Sequence, residues 1–206
     1  MKADMKPILF NTDMVRAILE GRKTVTRRVV KPQPEGAPIP IPDEKYWLGC
    51  FAGDDKCRAI KSSYLPGDTL YVRETWCDPS ETGWPILYKA DMPMHWDAED
   101  TETGIAVDLK TADYKWRPSI HMPREAARIF LRVTGVQVER LQEITEEQAI
   151  AEGFEAFEHE PATVGFVETW NSTIKKADRA LYGWAANPWV WVVAFERCDG
   201  PEDPSP

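Results

Sequence analysis

The stretch Gly21-Arg22-Lys23-Thr24-Val25-Thr26-Arg27-Arg28 decides how the chain is read, because it joins the end of a helix to the start of a strand and concentrates positive charge there. Before it, Asn11-Thr12-Asp13 offers cap-type residues ahead of Met14, Val15, Ile18 and Leu19, which are apolar at helical spacing. The spacing predicts a short helix over about residues 13 to 20, ended by Gly21. After it, Lys23 to Val30 alternates polar and β-branched side chains, which predicts a turn entering a strand.

Working outward, residues 31 to 42 hold five prolines. Each removes a backbone donor, so this region is expected to be an insertion or lid, not a helix or central strand. Pro66-Gly67-Asp68 reads as a turn into a strand at Thr69 to Arg73. From Asp78 to Trp116 a second irregular region is expected, with a short strand at Ile86 to Lys89 and an acidic loop from Asp91 to Asp108. Arg128 to Arg140 alternates as a long strand, with Gly135 marking a bulge or bend. Thr145-Glu146-Glu147-Gln148 matches a capping box opening a short helix that Gly153 closes. A further helix is expected from about Thr163 to Ile174, then an apolar strand from Trp189 to Arg197 and a disordered tail from Cys198.

Short helices flanking strands joined by hairpins and loops, without a βαβ rhythm, predict an α+β fold in the form of a small mixed barrel. At 206 residues the default is one domain, here 1–197, with insertions at about 31–62 and 78–116. The net charge of −9 and pI near 5.0 argue against a protein that coats nucleic acid or an anionic membrane. No apolar run approaches the ~20 residues of a membrane helix, and the expected location is the cytoplasm. Four cysteines are too sparse for a disulfide scaffold and are expected as reduced thiols. Cys50 and Cys57 are too far apart for a zinc knuckle, even with Cys77, His95 or His121 brought in, so no metal is expected. Nine tryptophans suit a barrel core or a pocket for a flat ring.

The combination of Gly21, Lys23, Thr26 and Arg28 with Pro66-Gly67-Asp68, Val72-Arg73-Glu74, Leu141 to Glu147 and Asn187-Pro188-Trp189-Val190-Trp191 resembles the ASCH family. That resemblance implies a PUA-like β-barrel over nearly the whole chain, of the longer kind often found in phages and prophages. It is also similar to the bacterial N(4)-acetylcytidine amidohydrolases at the first motif and at the helix after the long strand. The resemblance implies that Lys23 is the base, Thr26 the nucleophile and Glu152 the third catalytic group. Many other ASCH proteins carry glutamate at the position of Thr26, so the threonine favours the hydrolase branch. The two insertions are absent from compact amidohydrolases, which leaves the substrate open.

The residues themselves support this chemistry within limits. A threonine hydroxyl needs a base, and a lysine can serve when burial and neighbouring cations lower its pKa. The plainer reading of Lys23 and the arginines is an anion-pairing surface at a helix end. In a flat strand, positions three apart point to opposite faces, so Lys23 and Thr26 meet only if the backbone turns between them. Glu152 sits at a helix C-terminus, where a carboxylate is disfavoured; its plainer reading is an exposed helix glutamate. Phe10, Trp76 and Arg28 are the candidates for a base-binding slot, each otherwise a core or structural residue. Glu74 is the rival carboxylate, or else the partner of an arginine. His121 is expected to be a hydrogen-bonded barrel residue. The expected partner is an acylated nucleoside, with no organic cofactor; the oligomeric state is left open. The alternative is an RNA-binding module or ribonuclease using Arg22, Arg27, Arg28 and Lys31.

Overall fold

The computed structural model describes residues 5–41, 46–51, 57–78, 85–92 and 115–200. Its centre is a five-stranded sheet in the order β1 (Lys6–Leu9), β6 (Thr69–Arg73), β9 (Phe130–Arg140), β10 (Trp189–Cys198) and β2 (Val25–Val29). Only β1 and β6 run parallel; the other pairs are antiparallel. The long pair β9 and β10 shifts register at Ala194/Phe195, where Gly135 and Val133 are the successive partners and Thr134 is left over. The bulge expected at Gly135 therefore exists, and it bends the two longest strands together.

Side-chain alternation along β10 explains why it reads as one apolar run. Trp189, Trp191, Val193 and Phe195 enter a core with Ile8, Phe10, Val15 and Ile18, whereas Val190 and Val192 enter a second core with Leu141, Ala149, Phe166 and Trp170. A strand covered on both faces has no polar period. The first core is closed by α1 (Thr12–Leu19), whose cap Asn11 accepts from the Met14 amide at 2.8 Å. The second is closed by α2 (Glu146–Ala151) and α3 (Ala162–Thr173). The Thr145–Gln148 capping box forms as expected. A single turn, α4 (Arg179–Tyr182), precedes β10.

The fold is thus α+β. Among the described residues no backbone ladder joins the edge strands β1 and β2. They approach instead through Arg28, whose Nη2 donates to the Leu9 carbonyl at 3.0 Å.

Four expectations change. The proline-rich insertion is not merely a loop: β3 (Ile39–Pro40), β4 (Trp47–Gly49) and β5 (Arg58–Ile60) form their own antiparallel sheet. It packs on the main sheet through Trp47 edge-on to Trp191 at 4.8 Å and through buried Ile60. Pro40 sits on the outer strand β3, where a missing donor is tolerated. Second, Cys50 and Cys57 are joined in a disulfide, because β4 and β5 pair immediately beside them and bring their Cα atoms to 4.2 Å; Cys77 and Cys198 are free. Third, Cys198 is not tail but the last residue of β10, paired with Phe130. Fourth, His121 is exposed on a single 3-10 turn, not in the sheet, because Pro118 and Pro123 bracket that turn.

The expected strand near Ile86 is β8 (Leu87–Tyr88), paired with β7 (Trp76–Cys77). Most of the acidic stretch, together with His95 and residues 201–206, lies outside the described residues. Among the described residues no helix is long and apolar enough to cross a membrane.

Candidate active site

The helix-to-strand motif turns inward because of its backbone. Gly21 adopts φ +78°, and the amides of Arg22 and Lys23 both donate to the Ala17 carbonyl, at 2.8 and 3.0 Å. The Thr24 amide then donates to Ala151 O at 2.8 Å, docking the turn on the C-terminus of α2. There Gly153, at φ +98°, ends that helix against the same turn. A Cβ on Gly153 would stand 2.7 Å from Ala17 Cβ and 3.1 Å from Lys23 Cβ, so only glycine permits the approach.

The result is a buried ion pair. Lys23 Nζ donates to Glu152 Oε2 at 2.6 Å, to the Glu152 carbonyl at 2.7 Å and to the Val25 carbonyl at 2.9 Å. Three acceptors match the three protons of an ammonium. Burial nevertheless pulls the Lys23 pKa down from its ordinary 10.5, against the opposing pull of Glu152. Glu152 is 3% exposed, so it is not the ordinary surface glutamate of the plainer reading. Lys23 precedes β2, which begins at Val25, so Lys23 and Thr26 are not three places apart within one flat strand, and Lys23 Nζ is held by Glu152 and the Val25 carbonyl.

Along β2 the side chains alternate. Val25 and Val29 pack with the α2/α3 core, Val30 with the α1 core. Arg27 follows the first set, its guanidinium 5.9 Å from the Phe166 ring, while Arg28 follows the second, 5.4 Å from the Phe10 ring. Thr26, 1% exposed, shares the face of Arg28 by the same period. Both faces meet at the open edge of β2, where a cavity of about 110 Å³ is lined by Thr26, Arg27, Arg28, Glu152 and the α3 stripe Phe166, Thr169, Trp170, Thr173.

Arg27 was only part of a cation cluster in the sequence, yet it organises the site. Its Nη1 reaches Glu152 Oε1 at 3.4 Å, and its Nη2 donates to Gln148 Oε1 at 2.8 Å and Glu139 Oε2 at 3.2 Å. Its Nε is buried without an acceptor. The capping-box glutamine was visible in the sequence, but its second task, holding Arg27, follows only from the packing of α2 on β2.

The remaining candidates are placed elsewhere or beneath. Phe10 is 3% exposed within the α1 core, with Lys23 Nζ 5.5 Å from its centroid, and does not line the cavity. Glu74 and Trp76 belong to a separate assembly. Arg128 grips Glu74 through Nε at 2.9 Å and Nη2 at 3.1 Å, stacks on Tyr88 at 3.9 Å and binds Asp91. Trp76 packs with Met122 and Ala126 under Arg117. Burial pushes the Glu74 carboxyl up, with Arg128 opposing. Among the described residues no group of three or more histidine, cysteine or acidic side chains could hold a metal ion. Comparison of the chain with protein-family models, curated proteins and solved structures finds no match.

Proposed function

We propose that the chain is an amidohydrolase that removes the acyl group from N(4)-acylated cytosine or cytidine, on an ASCH-type barrel whose open edge is bridged by Arg28. The observation that carries this reading is the sealed Lys23–Glu152 pair, whose glutamate lines the same cavity as Thr26. Burial lowers the Lys23 pKa, and the cycle starts when the Lys23 proton passes across the 2.6 Å bond to Glu152, leaving a free amine. The amine takes the Thr26 hydroxyl proton as Oγ bonds to the amide carbonyl carbon. Arg27 Nε–H, a buried donor without an acceptor, is the group we assign to stabilise the developing oxyanion. The C–N bond then breaks, and the Glu152 proton passes to the departing amine. In the second half, water gives a proton to Glu152 and attacks the acyl-threonine. The acyl C–Oγ bond then breaks and the carboxylic acid leaves as Lys23 returns its proton to Thr26 Oγ, and Glu152 re-protonates Lys23.

The RNA reading draws less support, because the cations it needs are committed. Arg22 binds Glu20 and the Gly153 carbonyl, Arg27 binds Glu152, Glu139 and Gln148, Arg28 binds Leu9 O, and Lys31 lies 4.7 Å from the Tyr182 ring. At Arg27 and Arg28 a phosphate would have to displace these partners.

The test is turnover of N(4)-acylcytidines to cytidine by the wild-type protein and by Thr26→Val. Turnover lost in the variant, with a mass shift of one acyl group on Thr26 in the wild type, is the expected result. Full turnover in Thr26→Val would remove the nucleophile assignment.

A further inference from the structure

The α3 residues Phe166, Thr169, Trp170 and Thr173 follow the i, i+3, i+4, i+7 spacing of one helix face, and all four line the cavity at the β2 edge. Val29, Phe154 and Ile174, which pack with the same core as Phe166 and Trp170, complete an apolar wall, and Met14 of α1 lines the cavity as well. The polar and charged side chains that line it from β2 and the end of α2 are Thr26, Arg27, Arg28 and Glu152. Of the two hydroxyls on the helical face, Thr173 Oγ1 is already committed to the Trp170 carbonyl at 2.7 Å, and the Trp170 indole N–H donates to Tyr182 O at 2.8 Å. The helical wall therefore offers the Thr169 hydroxyl and otherwise apolar surface. A cytosine ring, with polar atoms around its edge, would enter it at the cost of unmade hydrogen bonds. An alkyl chain would not.

The volume sets the size of that chain. An apolar cavity of roughly 150 Å³ takes benzene with its six carbons, so one of about 110 Å³ takes roughly four carbon groups. The single methyl of an acetyl group would leave most of it unfilled.

We infer that this cavity is an acyl-binding pocket and that the preferred substrates carry a short linear or branched acyl chain, of the butyryl or isovaleryl kind, rather than acetyl. The inference rests on the amidohydrolase reading for its chemistry. The acyl chain crosses the edge of β2 from Thr26 toward Phe166 and Trp170, and the base stays on the side of Arg28. Each added methylene that finds apolar wall raises kcat/KM about tenfold, until the pocket is full.

The experiment is a series of N(4)-acetyl-, propionyl-, butyryl-, isovaleryl- and benzoylcytidine, with kcat/KM for the wild type and for Thr169→Met, which projects a side chain into the pocket. Calorimetric binding of the same compounds to Thr26→Val gives a second readout that needs no turnover. The expected result is a maximum at butyryl or isovaleryl, at least tenfold above acetyl, a butyryl-to-acetyl ratio that falls at least tenfold in Thr169→Met, and the same rank order in binding. A maximum at acetyl, a flat series, or a ratio unchanged in Thr169→Met overturns the acyl pocket while the hydrolase stands. No turnover of any compound overturns the hydrolase; binding in the same rank order would then still uphold the pocket, and binding without that order would overturn both.

Discussion

Removing either partner of the Lys23–Glu152 pair has unequal consequences that the geometry predicts. Both side chains are sealed, at 0% and 3% exposure, and stripping one partner from such a pair costs about 3–5 kcal/mol. Lys23→Met leaves the Glu152 carboxylate facing Arg27 at 3.4 Å, so a cation remains and the cost falls near the low end, about 3 kcal/mol. Glu152→Gln leaves Lys23 with neutral acceptors only and beside Arg27, which places its cost near the high end, about 5 kcal/mol. The double variant should fall short of the sum by about 2–3 kcal/mol, since the coupled charge is removed once. Urea unfolding of the four proteins at neutral pH measures all three quantities from the midpoints at a common m-value. Alkaline titration adds a sign. The folded pKa of Lys23 is lowered, so between it and 10.5 the unfolded chain holds a proton that the folded chain has released. Stability therefore rises with pH across that window in the wild type, and the rise is absent from Lys23→Met. Single-variant costs under about 1 kcal/mol, adding without coupling, would refute the description of a sealed pair.

Gly153→Ala is expected to cost more than about 2 kcal/mol, from positive φ and the 2.7 Å approach to Ala17, and to lower turnover by displacing Lys23; thermal unfolding and kcat measure the two effects. Glu74 has its pKa raised above 4.5 by burial, so the folded chain binds that proton more tightly, and stability falls as pH rises through the window between the two pKa values; the fall vanishes in Glu74→Gln, as urea midpoints across mildly acidic pH would record. Reducing the Cys50–Cys57 disulfide, whose sequence separation is 7, releases a short loop and should lower stability by roughly 2 kcal/mol, read from unfolding with and without reductant.

Local chemistry was legible where neighbouring residues settle it. The Asn11 cap, the Thr145 capping box, the stops at Gly21 and Gly153 and the bulge at Gly135 each depend on backbone groups a few residues away. The limits of α1, α3 and β10 follow from apolar spacing and lie within one or two residues of expectation. The pairing of Lys23 with Glu152 was legible only through the resemblance, because nothing in spacing says that residue 152 returns to residue 23.

What the tertiary structure alone decided is long-range. That β4 and β5 pair, and so join Cys50 to Cys57, depends on a docking surface at Trp191 about 140 residues away in the chain. That Glu152 is buried, and Glu74 is bound to Arg128 rather than to the site, depends on which faces of α2 and β6 were covered. Arg27 reads as one cation among four in its segment, yet it holds Glu152, Glu139 and Gln148 from two other elements. Sequence patterns report the period of a face; the partner that covers it is set by packing between segments far apart in the chain, where burial turns a surface charge into part of a site.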